Sequence, residues 1–218
     1  MSAWINRCLL GRFAKPAAFF VALLPALWLV VAAASDQLGA NPTEALVRST
    51  GDWTLRMLCI VLAITPVRVV SGMTSLAKFR RMVGLFVYFY AVLHLLAYSG
   101  FDMGFEVVDI AKDIAKRPFI LVGFTAFLLL TPLAASSFNR AIRALGAKRW
   151  QALHRLVYGV AGLAILHFFW MRAGKNNFAE VAVYAAILGG LLAWRARRYL
   201  SKKALFRPYS LRSQLPKS

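Results

Sequence analysis

Charged residues are scarce in this 218-residue sequence. Only 16% of its residues are Asp, Glu, Lys or Arg, whereas a soluble domain usually has about a quarter. There is no G-x-G-x-x-G turn and no P-loop, so the sequence offers no common nucleotide-binding module. Two cysteines, Cys8 and Cys59, are too few for a disulfide framework. These absences argue against a soluble nucleotide-binding enzyme and against a disulfide-stapled secreted domain.

Long apolar runs are what the sequence has instead. Hydrophobic residues make up 60% of the chain, and six runs have about the 20 residues that cross a bilayer. The predicted spans are residues 17–34, 53–70, 82–98, 119–135, 151–171 and 178–194. The first run follows a basic leader and could be a signal peptide, but its length favours a retained anchor. We therefore predict one all-α integral membrane domain over residues 1–218, a six-helix transmembrane bundle.

The charges are distributed very unevenly between the predicted loops. With the N-terminus in the cytoplasm, all eight acidic residues and only seven of the 27 basic residues fall outside; the seven are Arg48, Arg56, Lys112, Lys116, Arg117, Arg172 and Lys175. The other basic residues, including the tail from Arg195 to Lys217, fall inside. This bias follows the positive-inside rule. The bias predicts cytoplasmic termini in a bacterial inner membrane. It also accounts for the net charge of +19 without binding to nucleic acid. The segment 100–116 would then lie outside, where it could form a short amphipathic helix.

The three histidines all lie in or near two of the predicted spans. His94 is in the third span, and His154 and His167 are in the fifth, about 20 Å apart along one helix. Ionisable side chains are costly in a membrane and usually mark function. His94 and His167 are at matched depth in the outer half, which suits two axial ligands about 4 Å apart on one haem b. No C-x-x-C-H occurs, so this haem would be held by coordination alone.

His154 lies near the inner face and has no histidine opposite it. The residues at its level on the third span are Arg80 and Arg81, and arginine cannot ligate iron. An inner site could combine His154 with a weak ligand, water or a flavin, while Arg80 either neutralises an anionic cofactor or only anchors the span at the headgroups. Arg56, in the second span, either pairs with haem propionates or snorkels to the interface.

Two other classes of function stay open at this point. Histidines in membrane helices can form a proton relay, which would make the protein a channel or transporter, although no repeat halves or broken helices are visible. They can also hydrogen-bond neighbouring helices in an assembly subunit without a cofactor. A haem with histidine on both sides has no open coordination position, so the haem hypothesis implies electron transfer.

Four segments resemble a known family: RRMVGLFVYFYAVLHLLAY, KRPFILVGF, GAKRWQALHRLVYGVAGLAILHFFW and VYAAILGGLLAWRARRYL. They are similar to MsrQ proteins, haem-binding membrane subunits of bacterial methionine sulfoxide reductase systems, within the ferric reductase-like transmembrane family. The resemblance implies an electron conduit rather than a catalytic subunit. Electrons would pass from a cytoplasmic flavin reductase or a quinol to a periplasmic MsrP-type molybdoenzyme that repairs oxidised proteins. It also implies haem b and FMN.

The same resemblance shows where this sequence departs from its wider family. The related NADPH oxidases hold two stacked haems with histidine pairs on two helices. Here Arg80 and Arg81 stand where the second histidine of the third span would be. The sequence also lacks the cytoplasmic flavin and nicotinamide domain of the oxidases. One haem is therefore expected at His94 and His167, and a second only if His154 finds another partner.

Overall fold

The computed structural model describes residues 2–173 and 178–212, and all regular structure in those ranges is helical. The helices are α1 (Ser2–Leu10), α2 (Ala14–Ala34), α3 (Pro42–Ser71), α4 (Arg80–Ala97), α5 (Val107–Lys116), α6 (Pro118–Ala135), α7 (Asn139–His154), α8 (Leu156–Ala173) and α9 (Ala179–Arg212). A 3-10 helix, Thr74–Phe79, precedes α4, and a π-helical turn, Tyr98–Asp102, follows it. Lys175 and Lys217 lie outside the described residues.

Six helical segments in the described ranges are long and apolar enough to cross a bilayer: Ala14–Ala34, Pro42–Ser71, Thr74–Asp102, Pro118–Ala135, Asn139–Ala173 and Ala179–Ser201. They confirm the predicted six-helix, all-α membrane fold. Helix α5 connects α4 to α6 at one end of the bundle, here called the α5 end. Helix α7 connects α6 to α8 at the opposite end, the α7 end.

The second spanning helix is longer than the predicted span 53–70. It begins at Pro42, where the side chain of Asn41 accepts a hydrogen bond from the Glu44 N–H at 3.1 Å, and proline occupies the first turn. Both features favour a helix start. It ends at Gly72, whose φ of 71° only glycine adopts readily. Hydropathy missed the first turns because they carry charged side chains, although the helix continues through them.

The predicted span 151–171 lies within one spanning segment, Asn139–Ala173, and contains a tightened turn at Arg155. Helix α7 ends at His154 and α8 begins at Leu156. Between them, the Arg155 N–H donates to the Ala152 carbonyl at 3.2 Å, three residues back instead of four. The backbone of Arg155 stays in the helical region, with φ −71° and ψ −20°. The chain therefore continues in the helical conformation through Arg155 with a tightened turn. The backbone leaves the helical conformation earlier, at Gly146 in α7, where φ is 73° and ψ is 156°.

The bundle is built around two antiparallel helix pairs. Helix α3 packs most extensively against α4, and α6 against α8. Tyr90 of α4 is fully buried, and its hydroxyl donates to the Ala22 carbonyl of α2 at 2.7 Å. Helix α9 packs on α3 and α8, with Leu188 in the core. The two pairs face each other across a cavity, and each pair carries one of the paired histidines.

At the α5 end, a small polar network holds the chain between α4 and α6. The Tyr98 hydroxyl donates to one carboxylate oxygen of Asp113 at 2.7 Å, and Arg117 pairs with the other at 2.8 Å. Helix α5 exposes Val107 and Val108 to its surroundings and carries its charges on the other side. This is the amphipathic helix predicted for the segment 100–116.

Candidate functional site

His94 and His167 come together between the two helix pairs. Their ring centroids are 6.2 Å apart, with the ring planes at 74°. Both line one cavity of about 660 Å³, within the range of roughly 300–1,000 Å³ typical of cofactor pockets. A metal–imidazole bond is about 2 Å long, so two imidazoles on opposite sides of one ion have centroids about 6 Å apart. The observed separation fits that arrangement.

Each imidazole is anchored by a backbone carbonyl of the partner helix in its pair. His94 Nδ1 lies 2.9 Å from the Val47 oxygen on α3, and His167 Nδ1 lies 2.6 Å from the Phe119 oxygen on α6. A carbonyl oxygen can only accept, so Nδ1 carries the proton and donates in both contacts. Nε2 is then the free lone pair. This is the tautomer that a metal-ligating histidine uses, with its second nitrogen held by an oriented acceptor.

Glycines make room for both rings. A Cβ on Gly51 would lie 3.1 Å from the His94 ring, and a Cβ on Gly123 would lie 2.8 Å from the His167 ring. Both imidazoles thus lie directly against the backbone of the neighbouring helix, where any other residue would crowd them.

The cavity wall changes character along its depth. Its inner part is apolar and is formed by Leu55, Leu58, Val87, Ala91, Phe124, Phe127, Leu130, Val160 and Ala164. Its part toward the α5 end mixes apolar side chains such as Phe101 and Met171 with polar ones and carries all of the charged Asp, Glu and Arg side chains of the lining; the polar residues there are Asn41, Glu44, Arg48, Asp52, Asp102, Arg117 and Arg172. A porphyrin has an apolar ring and two carboxylates, so this distribution of side chains fits haem. No cluster of three His, Cys, Asp or Glu side chains occurs among the described residues to suggest a different metal site.

Arg172 is the most buried of the arginines at this cavity. It is 8% exposed, pairs with Glu180 of α9, and its guanidinium carbon lies 5.2 Å from the centre of the Phe168 ring. Sequence reasoning had assigned it only to the outer loops. Its position five residues after His167 on α8 gives no signal in the sequence, because burial there depends on how α8 and α9 pack.

Arg56 faces a different cavity. Its Nε donates to the Tyr184 hydroxyl at 3.2 Å, and its guanidinium carbon lies 4.7 Å from the Trp53 ring centre. It lines a space of about 290 Å³ beside Glu180, and not the one between the histidines. The alternative in which Arg56 pairs with haem propionates therefore has no support from the geometry.

His154 lies at the α7 end, away from the paired histidines. Its ring packs on Trp150 with centroids 4.0 Å apart and the ring planes tilted by 32°, and its Nε2 is 3.2 Å from the Ser136 hydroxyl oxygen. Arg80 is exposed but close enough to interact electrostatically with His154. Arg81 instead donates to Asn139 at 2.6 Å. With only three histidines in the chain, this end offers one imidazole and nearby cations, a set suited to an anionic group and insufficient for a bis-histidine site.

Comparisons with known proteins agree with this architecture. A family described as ferric reductase like transmembrane component matches residues 50–165, which include His94 and His154. No solved structure shows a significant match.

Curated relatives cover nearly the whole chain. The protein-methionine-sulfoxide reductase heme-binding subunit MsrQ of Polaromonas naphthalenivorans is 68% identical over 93% of this chain and 94% of its own length. The proteins with the same name from Ralstonia nicotianae and Herminiimonas arsenicoxydans are 52% and 50% identical, each over 84% of this chain and over 85% and 87% of their own lengths. This multi-pass membrane chain belongs to the MsrQ family, within the ferric reductase-like transmembrane proteins.

Proposed function

We propose that this chain is a transmembrane electron-transfer subunit that holds haem b between His94 and His167. The observation that carries the proposal is the pair of imidazoles with centroids 6.2 Å apart, each with Nδ1 on a backbone carbonyl. The relatives named as heme-binding subunits support it. A bound haem supplies a one-electron ferric/ferrous couple.

The residues of the site have distinct tasks in this proposal. His94 and His167 would hold the haem iron from its two sides through Nε2, and a haem held in this way would transfer electrons without binding oxygen or a substrate. The carbonyls of Val47 and Phe119 accept the Nδ1 protons and so leave Nε2 of each ring as the nitrogen that would bind iron. The apolar wall excludes water, and Arg172 is placed to neutralise carboxylates at the α5 end of the cavity.

The orientation that we assign to the chain in the membrane rests on the charge distribution. The acidic residues cluster at the α5 end and the basic loops at the α7 end, so we assign the α5 end to the periplasm and both termini to the cytoplasm of a bacterial inner membrane. The haem between His94 and His167 is then on the periplasmic side. Its acceptor would be a periplasmic MsrP-type molybdoenzyme that reduces methionine sulfoxide in oxidised proteins.

The cytoplasmic half needs a second redox group in this proposal, because the paired histidines lie toward the other side of about 30 Å of hydrocarbon. We assign that group to the region of His154 and Arg80, where the imidazole and the guanidinium are close enough to interact electrostatically. Arginines suit a flavin phosphate or haem propionates, so FMN or a second haem are the candidates. The donor would be a cytoplasmic flavin reductase or a quinol.

Proteoliposomes test the conduit directly. Haem-loaded protein is reconstituted with ferricyanide trapped inside the vesicles, dithionite is added outside, and loss of the ferricyanide absorbance is followed. Vesicles with the native protein should lose it faster than protein-free vesicles, and vesicles with a His94→Ala variant should match the protein-free rate. A haem-loaded native protein that carries no electrons across the bilayer would contradict the proposed function. Proton flux without electron flux would favour the relay alternative.

A further inference from the structure

Two glycines occupy equivalent positions beside the paired histidines. Gly51 lies four residues after Val47 on α3, and Gly123 lies four residues after Phe119 on α6. In each helix the carbonyl at the first position accepts the histidine Nδ1–H, and the glycine at the second lies against the same ring. The same arrangement of a carbonyl and a glycine four residues later therefore contacts both imidazoles.

Helix geometry explains why the spacing is four. The carbonyl of residue i accepts the N–H of residue i+4, and it keeps a second lone pair that can accept from the side. Side chains on a helix lean toward its N-terminus, so a side chain at i+4 covers the side of that carbonyl. A glycine at i+4 leaves the carbonyl open to a donor from a neighbouring helix.

The other glycines of the spanning α-helices do not lie this close to a side chain of a neighbouring helix. An added Cβ on Gly84 would make only an ordinary contact, at 3.8 Å from Val61. Added Cβ atoms on Gly159, Gly162, Gly189 and Gly190 would meet nothing within 4 Å. Gly100, in the π-helical turn after α4, would place a Cβ 2.7 Å from the ring of Phe105, five residues later in the chain. In the described parts of the spanning α-helices themselves, only Gly51 and Gly123 bring a Cβ within 3.1 Å of a side chain on a neighbouring helix, and in both cases that side chain is a histidine.

We propose that Gly51 and Gly123 are positioning residues that fix the orientation and hydrogen bonding of His94 and His167, and so set the reduction potential of the haem between them. The inference rests on the proposed function. A hydrogen bond from Nδ1 to an oriented acceptor makes the imidazole a more basic ligand, which stabilises ferric iron over ferrous iron. Lengthening that bond shifts the potential to more positive values.

Substitutions at Gly51 and Gly123 should shift the haem potential by different amounts. A methyl group on Gly123 would be 2.8 Å from His167 Nδ1, closer than real Cβ contacts, so the ring must move away from the Phe119 carbonyl. A methyl group on Gly51 would be 3.1 Å from His94, which requires a shift of a few tenths of an ångström. Gly123→Ala should therefore have the larger effect, and Gly51→Ala a smaller one in the same direction.

The experiment compares these two variants with Gly162→Ala on α8 and Gly84→Ala on α4, which lie on the same helices as His167 and His94. Haem per polypeptide, the g values of the ferric haem and its midpoint potential are measured for each. Gly123→Ala should favour reduction by about tenfold, a shift of about 59 mV for a one-electron couple, with altered g values. The controls should retain the native values.

The outcomes separate this inference from the function on which it rests. Native g values and potential in both Gly123→Ala and Gly51→Ala, or equal shifts in the controls, would overturn the inference while leaving the haem site intact. Native protein without a low-spin haem would overturn the proposed function and the inference with it. If Gly123→Ala binds no haem, the midpoint potential of the milder variant Gly51→Ala tests the inference: a more positive potential supports it, and a native potential overturns it.

Discussion

The ion pair between Arg172 and Glu180 should respond asymmetrically to substitution of its two members. The Arg172 side chain is 10% exposed, whereas that of Glu180 is 54% exposed. Glu180→Gln leaves a buried guanidinium without its main partner. Arg172→Met removes the buried charge, keeps much of the apolar stem, and leaves Glu180 in contact with solvent. The first change should therefore cost more stability than the second.

The size of each loss in stability follows from the exposure of the two side chains in the ion pair. Breaking a fully buried pair from one side costs about 3–5 kcal/mol, but solvent at Glu180 screens much of this attraction. Asp52 also remains within electrostatic range of Arg172 and supplies a second carboxylate. We therefore expect about 1–2 kcal/mol of destabilisation for Glu180→Gln, and less than about 1 kcal/mol for Arg172→Met.

The measurement is unfolding in mixed detergent micelles, with increasing SDS and tryptophan fluorescence as the signal. The haem potential gives a second readout, because Arg172 lines the cavity. Glu180→Gln leaves extra positive charge there and should raise the potential, whereas Arg172→Met should lower it. A variant order in which Arg172→Met is the more destabilising, or potentials that shift in the same direction, would refute the reasoning.

Three further expectations concern orientation, the inner site and the core. A membrane-impermeant thiol reagent added from the periplasm should label Asp109→Cys on α5 and miss Ala147→Cys on α7, because the positive-inside rule predicts that the basic loops lie in the cytoplasm. His154→Ala should leave the low-spin spectrum of the outer site unchanged and slow its reduction by a cytoplasmic donor by roughly tenfold or more. Tyr90→Phe removes the hydrogen bond to Ala22 and should lower the free energy of unfolding in micelles by about 1 kcal/mol.

Each of these has a clear contrary result. Labelling of Ala147→Cys alone would reverse the topology; the assay uses a Cys8→Ser background, since Cys8 is exposed and Cys59 is buried. Reduction of His154→Ala at the native rate would make His154 a packing residue beside Trp150 and Ser136. Unchanged stability in Tyr90→Phe would mean that the hydrogen bond between Tyr90 of α4 and the Ala22 carbonyl of α2 adds nothing to the free energy of unfolding.

The sequence predicted the features that the bilayer itself imposes. Six apolar runs of spanning length became six spanning helices, because hydrocarbon selects length and hydropathy almost independently of packing. Matching depth along two helices also put His94 and His167 at one level, and their rings lie 6.2 Å apart. Their role as ligands is a proposal that depth alone does not test.

The details that complete the site depend on how helices rotate against one another. No sequence pattern assigns the Val47 and Phe119 carbonyls to histidines on other helices, because every residue has a carbonyl. Gly123 is visible as a glycine in an apolar run and Gly51 as one just before the predicted span 53–70, yet only the packing of α3 on α4 and of α6 on α8 shows what they touch. The burial of Arg172 was missed for the same reason.

The most direct test of the central claim is low-temperature EPR and optical spectroscopy of the native protein and of His94→Ala and His167→Ala, with haem quantified per polypeptide. The native protein should show a low-spin ferric haem with two histidine ligands, and each substitution should abolish that signal, leaving high-spin haem or none. His154→Ala is the matched control and should retain it. Retention of the bis-histidine signal in both His94→Ala and His167→Ala would contradict the account.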